Sequence, residues 1–347
     1  MKQFINTKET LVTEAIDGAL RTAGGRLARL DGYPHIKVVV RTDWDRSKVA
    51  LVSGGGSGHE PSHAGFVGQG MLTAAVCGEV FASPSVDAVL AGILAVTGKA
   101  GCLLIVKNYT GDRLNFGLAA ERARAQGLTV NMVIVDDDVA LPDLPQPRGV
   151  AGTLFVHKIA GALAEQGAGL DAVTEAAQRV IRGVVSIGMS LDTCTVPGSP
   201  KEDRIEAGKA ELGLGIHGEA GVEQVDFRGA REAMEMVIDR LAPNIGPGPH
   251  VALLNNLGSA TPLEMAVLAE EVARSRLGDQ IRWLVGPAPM MTSLDMQGFS
   301  VSLLPVSKVD ETALLAPVSP WAWPGCLTVG EVNVLSLPDG LAPIKPT

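Results

Sequence analysis

Four short segments gather side chains able to do chemistry. The first is Ser53-Gly54-Gly55-Gly56-Ser57-Gly58-His59-Glu60-Pro61-Ser62-His63. Its glycines remove side chains, so backbone N–H groups can approach a ligand closely. His59 to His63 spells H-E-x-x-H, which binds zinc when both histidines lie on one uninterrupted helix face. Pro61 stands between them and disfavours a helical Glu60, so a zinc site is not expected. No Walker A pattern (G-x-x-x-x-G-K-S/T) occurs in the chain, and His59 breaks any G-x-G-x-x-G fingerprint here.

The second segment is Lys107-Asn108-Tyr109-Thr110-Gly111-Asp112. It puts a cation, an amide, two hydroxyls and a carboxylate into one turn. A carboxylate beside an alcohol can act as general base while the alcohol attacks phosphorus. The plainer alternative is a capped turn, with Asp112 or Thr110 as N-cap of the next helix. The third segment, Asp136-Asp137-Asp138, suggests Mg²⁺. Adjacent strand residues face opposite ways, however, so at most two could share a metal, and solvated turn or helix-start roles are favoured. The fourth is Gly213-Leu214-Gly215-Ile216-His217-Gly218-Glu219-Ala220-Gly221. Its glycines make room beside the His217 ring, and a neutral imidazole is a nucleophile able to add to a carbonyl. His35, His157 and His250 lie in ordinary surroundings and are expected to be structural or solvated. A Ser/His/Asp hydrolase lacks its G-x-S-x-G elbow here.

The elements that must position these segments follow from apolar spacing. Asn6 is expected to cap a first helix, with Glu9 in capping-box position. Val38–Val40, Val49–Ser53, Cys102–Val106 and Val130–Val135 read as strands, and Val86–Val96, Leu118–Gln126 and Thr153–Glu165 as helices. Strand, turn and helix in repetition predict a largely parallel sheet flanked by helices, with functional groups at strand ends. After a helix at 171–182, a second strand pattern starts at Val184–Met189. It continues at 213–216, 251–254, 281–285 and 299–304, with helices at 228–241 and 262–275. The expectation is two α/β domains, 1–184 and 185–315. Residues 316–347 hold six prolines and are expected to form a linker or extended arm.

The 347 residues are 46% hydrophobic, enough for sizeable cores, and the net charge of −9 argues against a general nucleic-acid binder. No uninterrupted apolar stretch of membrane-spanning length occurs, and residues 1–20 read as an amphipathic helix, not a signal peptide. Four scattered cysteines, none in a C-x-x-C pair, are expected to be reduced thiols in a cytoplasmic protein.

Together the motifs resemble the dihydroxyacetone kinase family. Ser53–Pro61 is similar to its glycine-rich substrate loop, Cys102–Phe116 to its central signature and Gly213–Gly221 to the loop bearing its covalent histidine. Asn255–Gly258 and Leu294–Phe299 also match, so the resemblance runs from about residue 4 to residue 310. Residues 71–78 and 283–288 look closer to the ATP-dependent type than to the type fed by a phosphotransferase relay. The resemblance implies that the chain is the substrate-binding portion, and that His217 holds dihydroxyacetone as a hemiaminal while a terminal hydroxyl is phosphorylated. It implies Asp112 as proton acceptor, His59 as a second polar group at that hydroxyl, and Gly56, Ser57, Gly58, Ser83 and Lys107 as substrate contacts. No metal or cofactor is expected on this chain. ATP and Mg²⁺ would travel on a nucleotide-binding domain or subunit absent from it, and a homodimer is implied. A kinase for erythrulose or another short ketose, and a non-catalytic ketone sensor, are the alternatives.

Overall fold

The computed structural model describes residues 3–141 and 146–338; the expectation for 339–347 falls outside the described residues. The chain opens with α1 (Leu11–Arg21), β1 (Leu27–Arg29), β2 (Val38–Arg41), β3 (Ala50–Ser57) and β4 (Ala74–Val80). Next come α2 (Val86–Val96), β5 (Cys102–Lys107), α3 (Thr110–Ala125), β6 (Val130–Val135), α4 (Thr153–Glu165) and α5 (Leu170–Gly183). These strands form a six-stranded sheet in the order β1-β2-β4-β3-β5-β6. The four strands from β4 to β6 are mutually parallel, as the sequence pattern led us to expect, and β1 and β2 add an antiparallel edge.

The chain then builds β7 (Val185–Ser190), β8 (Lys209–Leu212), β9 (Glu223–Asp226), α6 (Ala230–Leu241), β10 (His250–Asn256) and α7 (Pro262–Arg274). It ends with β11 (Ile281–Pro289), β12 (Gly298–Pro305), α8 (Lys308–Leu315) and β13 (Cys326–Thr328). The second sheet runs β13-β11-β10-β12-β7-β8-β9 and is antiparallel except between β10 and β11.

Helices α2 and α3 cover the outer face of the first sheet, and α6 and α7 that of the second. Between the sheets lie α4 and α5. Helix α4 is apolar around almost its whole circumference, the pattern of a helix with no solvent face. Leu154, Phe155 and Ile159 of α4 join Leu51 and Leu103 of the first sheet and Leu253, Trp283 and Leu304 of the second in one buried cluster. The chain crosses between the expected domains at residues 183–185, and the core runs continuously across that crossing.

Several local expectations change. The N-cap position of the first helix is Thr10, which makes no side-chain cap bond, while Asn6 donates to Glu14 at 2.8 Å; the apolar face that docks the helix begins with Val12. Residues 213–216 are a loop, not a strand; β8 ends at Leu212. The tail is also less free than expected. The Ser319 amide donates to Gln69 O (3.0 Å), Trp323 is buried, and Cys326–Thr328 pairs with Val285–Trp283 of β11. Apolar side chains at Ala322 and Trp323 join the core, surface that a solvated linker lacks. Among the described residues no helix is long and apolar enough to cross a membrane.

Candidate active site

The glycine-rich segment continues strand β3 through Ser57 instead of leaving the sheet as a loop. Neighbouring backbone dictates this. A Cβ on Gly54 would lie 2.1 Å from the carbonyl oxygen of Val76 on β4, so only glycine allows the two strands to approach so closely. Gly55 has φ +147°, and the place its Cβ would take lies 2.8 Å from Lys107 Nζ and 3.5 Å from Asp112 Oδ2. Only glycine leaves room there for an ammonium and a carboxylate to converge. Lys107 closes β5, and Asp112 sits in the first turn of α3 with Tyr109, not Thr110 or Asp112, at the N-cap position. The Asp112 carboxylate is buried, and its Oδ1 has no hydrogen-bond partner among the described residues. It is therefore not spent on capping the helix.

His59 follows the strand and is fully buried. Its Nδ1 lies 2.8 Å from the carbonyl of Thr292, an acceptor, so Nδ1 carries the proton and Nε2 presents a lone pair. Nε2 has no partner among the described residues. Burial, with the nearby His217 and Lys107, holds this imidazole well below its ordinary pKa and keeps it neutral. Its ring stacks on Phe81 at 5.3 Å and meets His217 edge-on at 4.8 Å.

His217 lies on the loop after β8, with 17% of its side chain exposed. The sequence reading took the surrounding glycines as space for a ligand. The structure fills much of that space with protein: a Cβ on Gly215 would fall 2.2 Å from Glu219 Oε2. Glu219 accepts from the His217 backbone N–H at 2.8 Å and stands 3.4 Å from the ring Nδ1. Burial pushes the Glu219 carboxyl up, but the His217 contacts outweigh it and hold it at about 2. An anion at Nδ1 keeps the proton there and leaves Nε2 as the free nucleophile. Tyr109 packs edge-on against the same ring at 4.4 Å, and Phe81 at 5.4 Å. Phe81 and Thr292 were not singled out from sequence, Tyr109 was read only for its hydroxyl, and Glu219 was given no role although it stands two residues from His217.

The remaining expected contacts gather nearby, some already engaged. Ser57 Oγ donates to Gly78 O (2.8 Å), and the Gly58 N–H donates to Glu60 (2.8 Å). Ser83 lies against the first turn of α3, its Cβ 3.2 Å from where a Gly111 Cβ would sit, and its Oγ accepts from Asn115 at 3.4 Å. Lys107 Nζ reaches Gly54 O at 3.2 Å and His63 Nε2 at 2.7 Å.

His59 and His63 do not share a helix face: His63 turns to Lys107 and His157, away from His217. No group of three or more His, Cys, Asp or Glu side chains is placed to hold a metal among the described residues. Of the aspartate run Asp136 is exposed, in line with the expected solvated role, whereas Asp137 and Asp138 are buried. Asp137 is buried and accepts from the Val150 and Gly152 amides (2.8 Å each) and from Ser186 Oγ on β7 (2.5 Å). Burial pushes its carboxyl up to about 6 against those hydrogen bonds. Asp138 binds Arg148 at 2.7 Å, and Arg148 donates to Gly213 O at 2.8 Å, bracing the base of the His217 loop. His157 and His250 are likewise fully buried.

Fold and site define a two-sheet α/β protein that brings His59 from one sheet edge-on to His217 from the other, with Lys107 and Asp112 converging at Gly55. The chain belongs to the Dak1 domain family, whose model matches residues 22–322. It is 50% identical over 333 residues to a dihydroxyacetone kinase of Citrobacter freundii, covering 95% of this chain and 60% of that protein. It is 40% identical to the dihydroxyacetone-binding subunit of a PTS-dependent dihydroxyacetone kinase of Listeria innocua, covering 93% of this chain and all of that subunit. The crystal structure of the C. freundii kinase superimposes with a TM-score of 0.96 at 48% identity, covering 99% of this chain and 64% of that one. This chain thus spans about three fifths of the C. freundii kinase's length.

Proposed function

We propose that this chain is the substrate-binding portion of a dihydroxyacetone kinase, holding the ketone covalently on His217. The observation that carries the reading is the pairing of His217 with Glu219, which leaves Nε2 as the nucleophilic nitrogen of a ring that meets His59 edge-on at 4.8 Å. In the capture step Nε2 bonds to C2 of the ketone, the carbonyl π pair moves to oxygen, and that oxygen takes a proton. The Nδ1 proton leaves toward Glu219, so the ring ends neutral. Glycerol has no carbonyl and escapes capture. Asp112 then accepts the proton of the terminal hydroxyl as it attacks phosphorus, with His59 Nε2 as a second acceptor there.

The phosphoryl donor, ATP with Mg²⁺, would be carried by a nucleotide-binding domain or subunit, in keeping with the name of the Listeria relative as a binding subunit. A homodimer and a cytoplasmic location complete the reading, resting on family likeness and, for location, on four free cysteines among the described residues. The test is ¹³C NMR of [2-¹³C]dihydroxyacetone mixed with the chain. A bound tetrahedral-carbon signal in wild type, absent in His217→Ala, is expected. Only free ketone and hydrate signals with the wild type would overturn the covalent reading.

A further inference from the structure

Three buried bases stand in line beside the site, and the chemistry above uses only the first. Lys107 Nζ lies 2.7 Å from His63 Nε2, and His63 Nδ1 lies 3.0 Å from His157 Nε2. His157 Nδ1 is buried with no partner among the described residues. Lys107 is 1% exposed, His63 4% and His157 0%, so water does not screen the row. Among the described residues Lys107 has no carboxylate at ion-pair distance; its two acceptors are Gly54 O and His63.

A protonated lysine has three N–H donors and no acceptor. Gly54 O takes one and His63 Nε2 the second. The third has no protein acceptor among the described residues, and the Asp112 carboxylate approaches the same glycine, Gly55. Lysine as donor makes His63 an acceptor at Nε2, so His63 carries its proton on Nδ1 and donates to His157 Nε2. His157 then carries its proton on Nδ1, the atom without a partner. The direction of every bond follows from the charge at one end.

We propose that His63 and His157 are positioning residues for Lys107, a one-way hydrogen-bonded row that keeps the ammonium's third N–H free for a substrate oxygen beside Asp112. A neutral row suits this place because a second positive charge there would repel Lys107. Burial first, and Lys107 second, hold both histidines below their ordinary pKa, His157 at about 3. The arrangement leaves one buried N–H at His157 unsatisfied, a cost that packing alone would avoid with an apolar residue. The substrate half of this inference rests on the function proposed above.

Two measurements on the full chain test it. Long-range ¹H–¹⁵N correlation of the ligand-free protein, with His63 and His157 assigned by single His→Gln substitutions, reads the tautomers directly. Both rings are expected neutral with the proton on Nδ1 at neutral pH. Finding His63 protonated on Nε2, or charged, overturns the row. Titration with [2-¹³C]dihydroxyacetone then reads its purpose. His63→Leu, which removes the acceptor, should weaken binding about tenfold, as loss of a charge-assisted hydrogen bond does. His63→Gln keeps an acceptor oxygen and should remain within about threefold of wild type. Lys107→Met should match His63→Leu, and the double variant should add little, because both remove one contact. Unchanged affinity in His63→Leu, or additive losses in the double variant, overturns the positioning role. If the wild type binds no ketone, the proposed function fails while the tautomer measurement still decides the row.

Discussion

The imidazole of His59 meets that of His217 edge-on, with ring centroids 4.8 Å apart and planes at 80°, although the two are carried by different sheets. The rings have opposite hydrogen-bonding duties. His59 gives its Nδ1 proton to a backbone carbonyl, and His217 has its Nδ1 beside a carboxylate. Two chemically identical side chains are thereby made unequal. His217→Ala should abolish the ketone adduct, while His59→Gln should retain it and lower turnover about 10²-fold, the lower end of what a proton-transfer group contributes. The tetrahedral-carbon signal of bound [2-¹³C]dihydroxyacetone, with a coupled kinase assay, separates the two.

Asp112→Asn should leave ketone capture within about twofold and reduce kcat by about 10²–10⁴-fold when a nucleotide-binding partner from a close relative is supplied. The amide fills the same space but cannot take the hydroxyl proton. Turnover near wild type would remove Asp112 from the role of base.

Glu219→Gln should weaken the adduct about tenfold, because the neutral amide no longer fixes the Nδ1 proton of His217 with charge. The ketone titration that reads His217→Ala reads this variant too. Equal affinity would mean that the carboxylate only shapes the loop.

Stability should fall on acidification below about pH 6.5. The folded pKa of His157 is depressed to about 3 from an ordinary 6.5, so its contribution is complete above 6.5 and is lost as pH falls toward 3. Each such group adds a slope of up to about 1.4 kcal/mol per pH unit inside that window. Denaturant unfolding at pH 7 and pH 5 should differ less for His157→Gln than for wild type.

Arg148→Ala should lower stability by about 3–5 kcal/mol, because it strands the buried Asp138 carboxylate. It should also loosen the His217 loop by removing the bond to Gly213 O. Urea unfolding measures the first effect and the ketone titration the second.

How much was legible in the sequence depended on range. Cys102–Lys107 and Val130–Val135 announced themselves because a strand buried on both faces is a continuous apolar run. Cys326–Thr328 did not, because three residues carry no period and their partner strand lies far away in sequence. The four candidate segments were visible because glycine, histidine and carboxylate clusters are local. Their meeting in space was not. Thr292 sets the tautomer of His59 through a backbone carbonyl, which leaves no mark on residue type. Glu219 was in plain view, but only the fold shows its carboxylate in the space a Gly215 side chain would need. The buried aspartates were misjudged because three consecutive charges suggest water, whereas Asp137 joins β6 to β7 through Ser186.

The docked tail alters the geometry available to any domain joined downstream. A tether counted from residue 316 would start free beside α8. In the structure, residues 319–323 are laid along the first sheet's side and 326–329 along β11, with the Val329 amide bonded to Arg282 O at 3.0 Å. Among the described residues, the last backbone hydrogen bond of this tail is the one at Val329. Withdrawing those residues from the tether shortens its greatest reach by about 45 Å at full extension. A tethered partner would explore a correspondingly smaller volume, at higher effective concentration over the site.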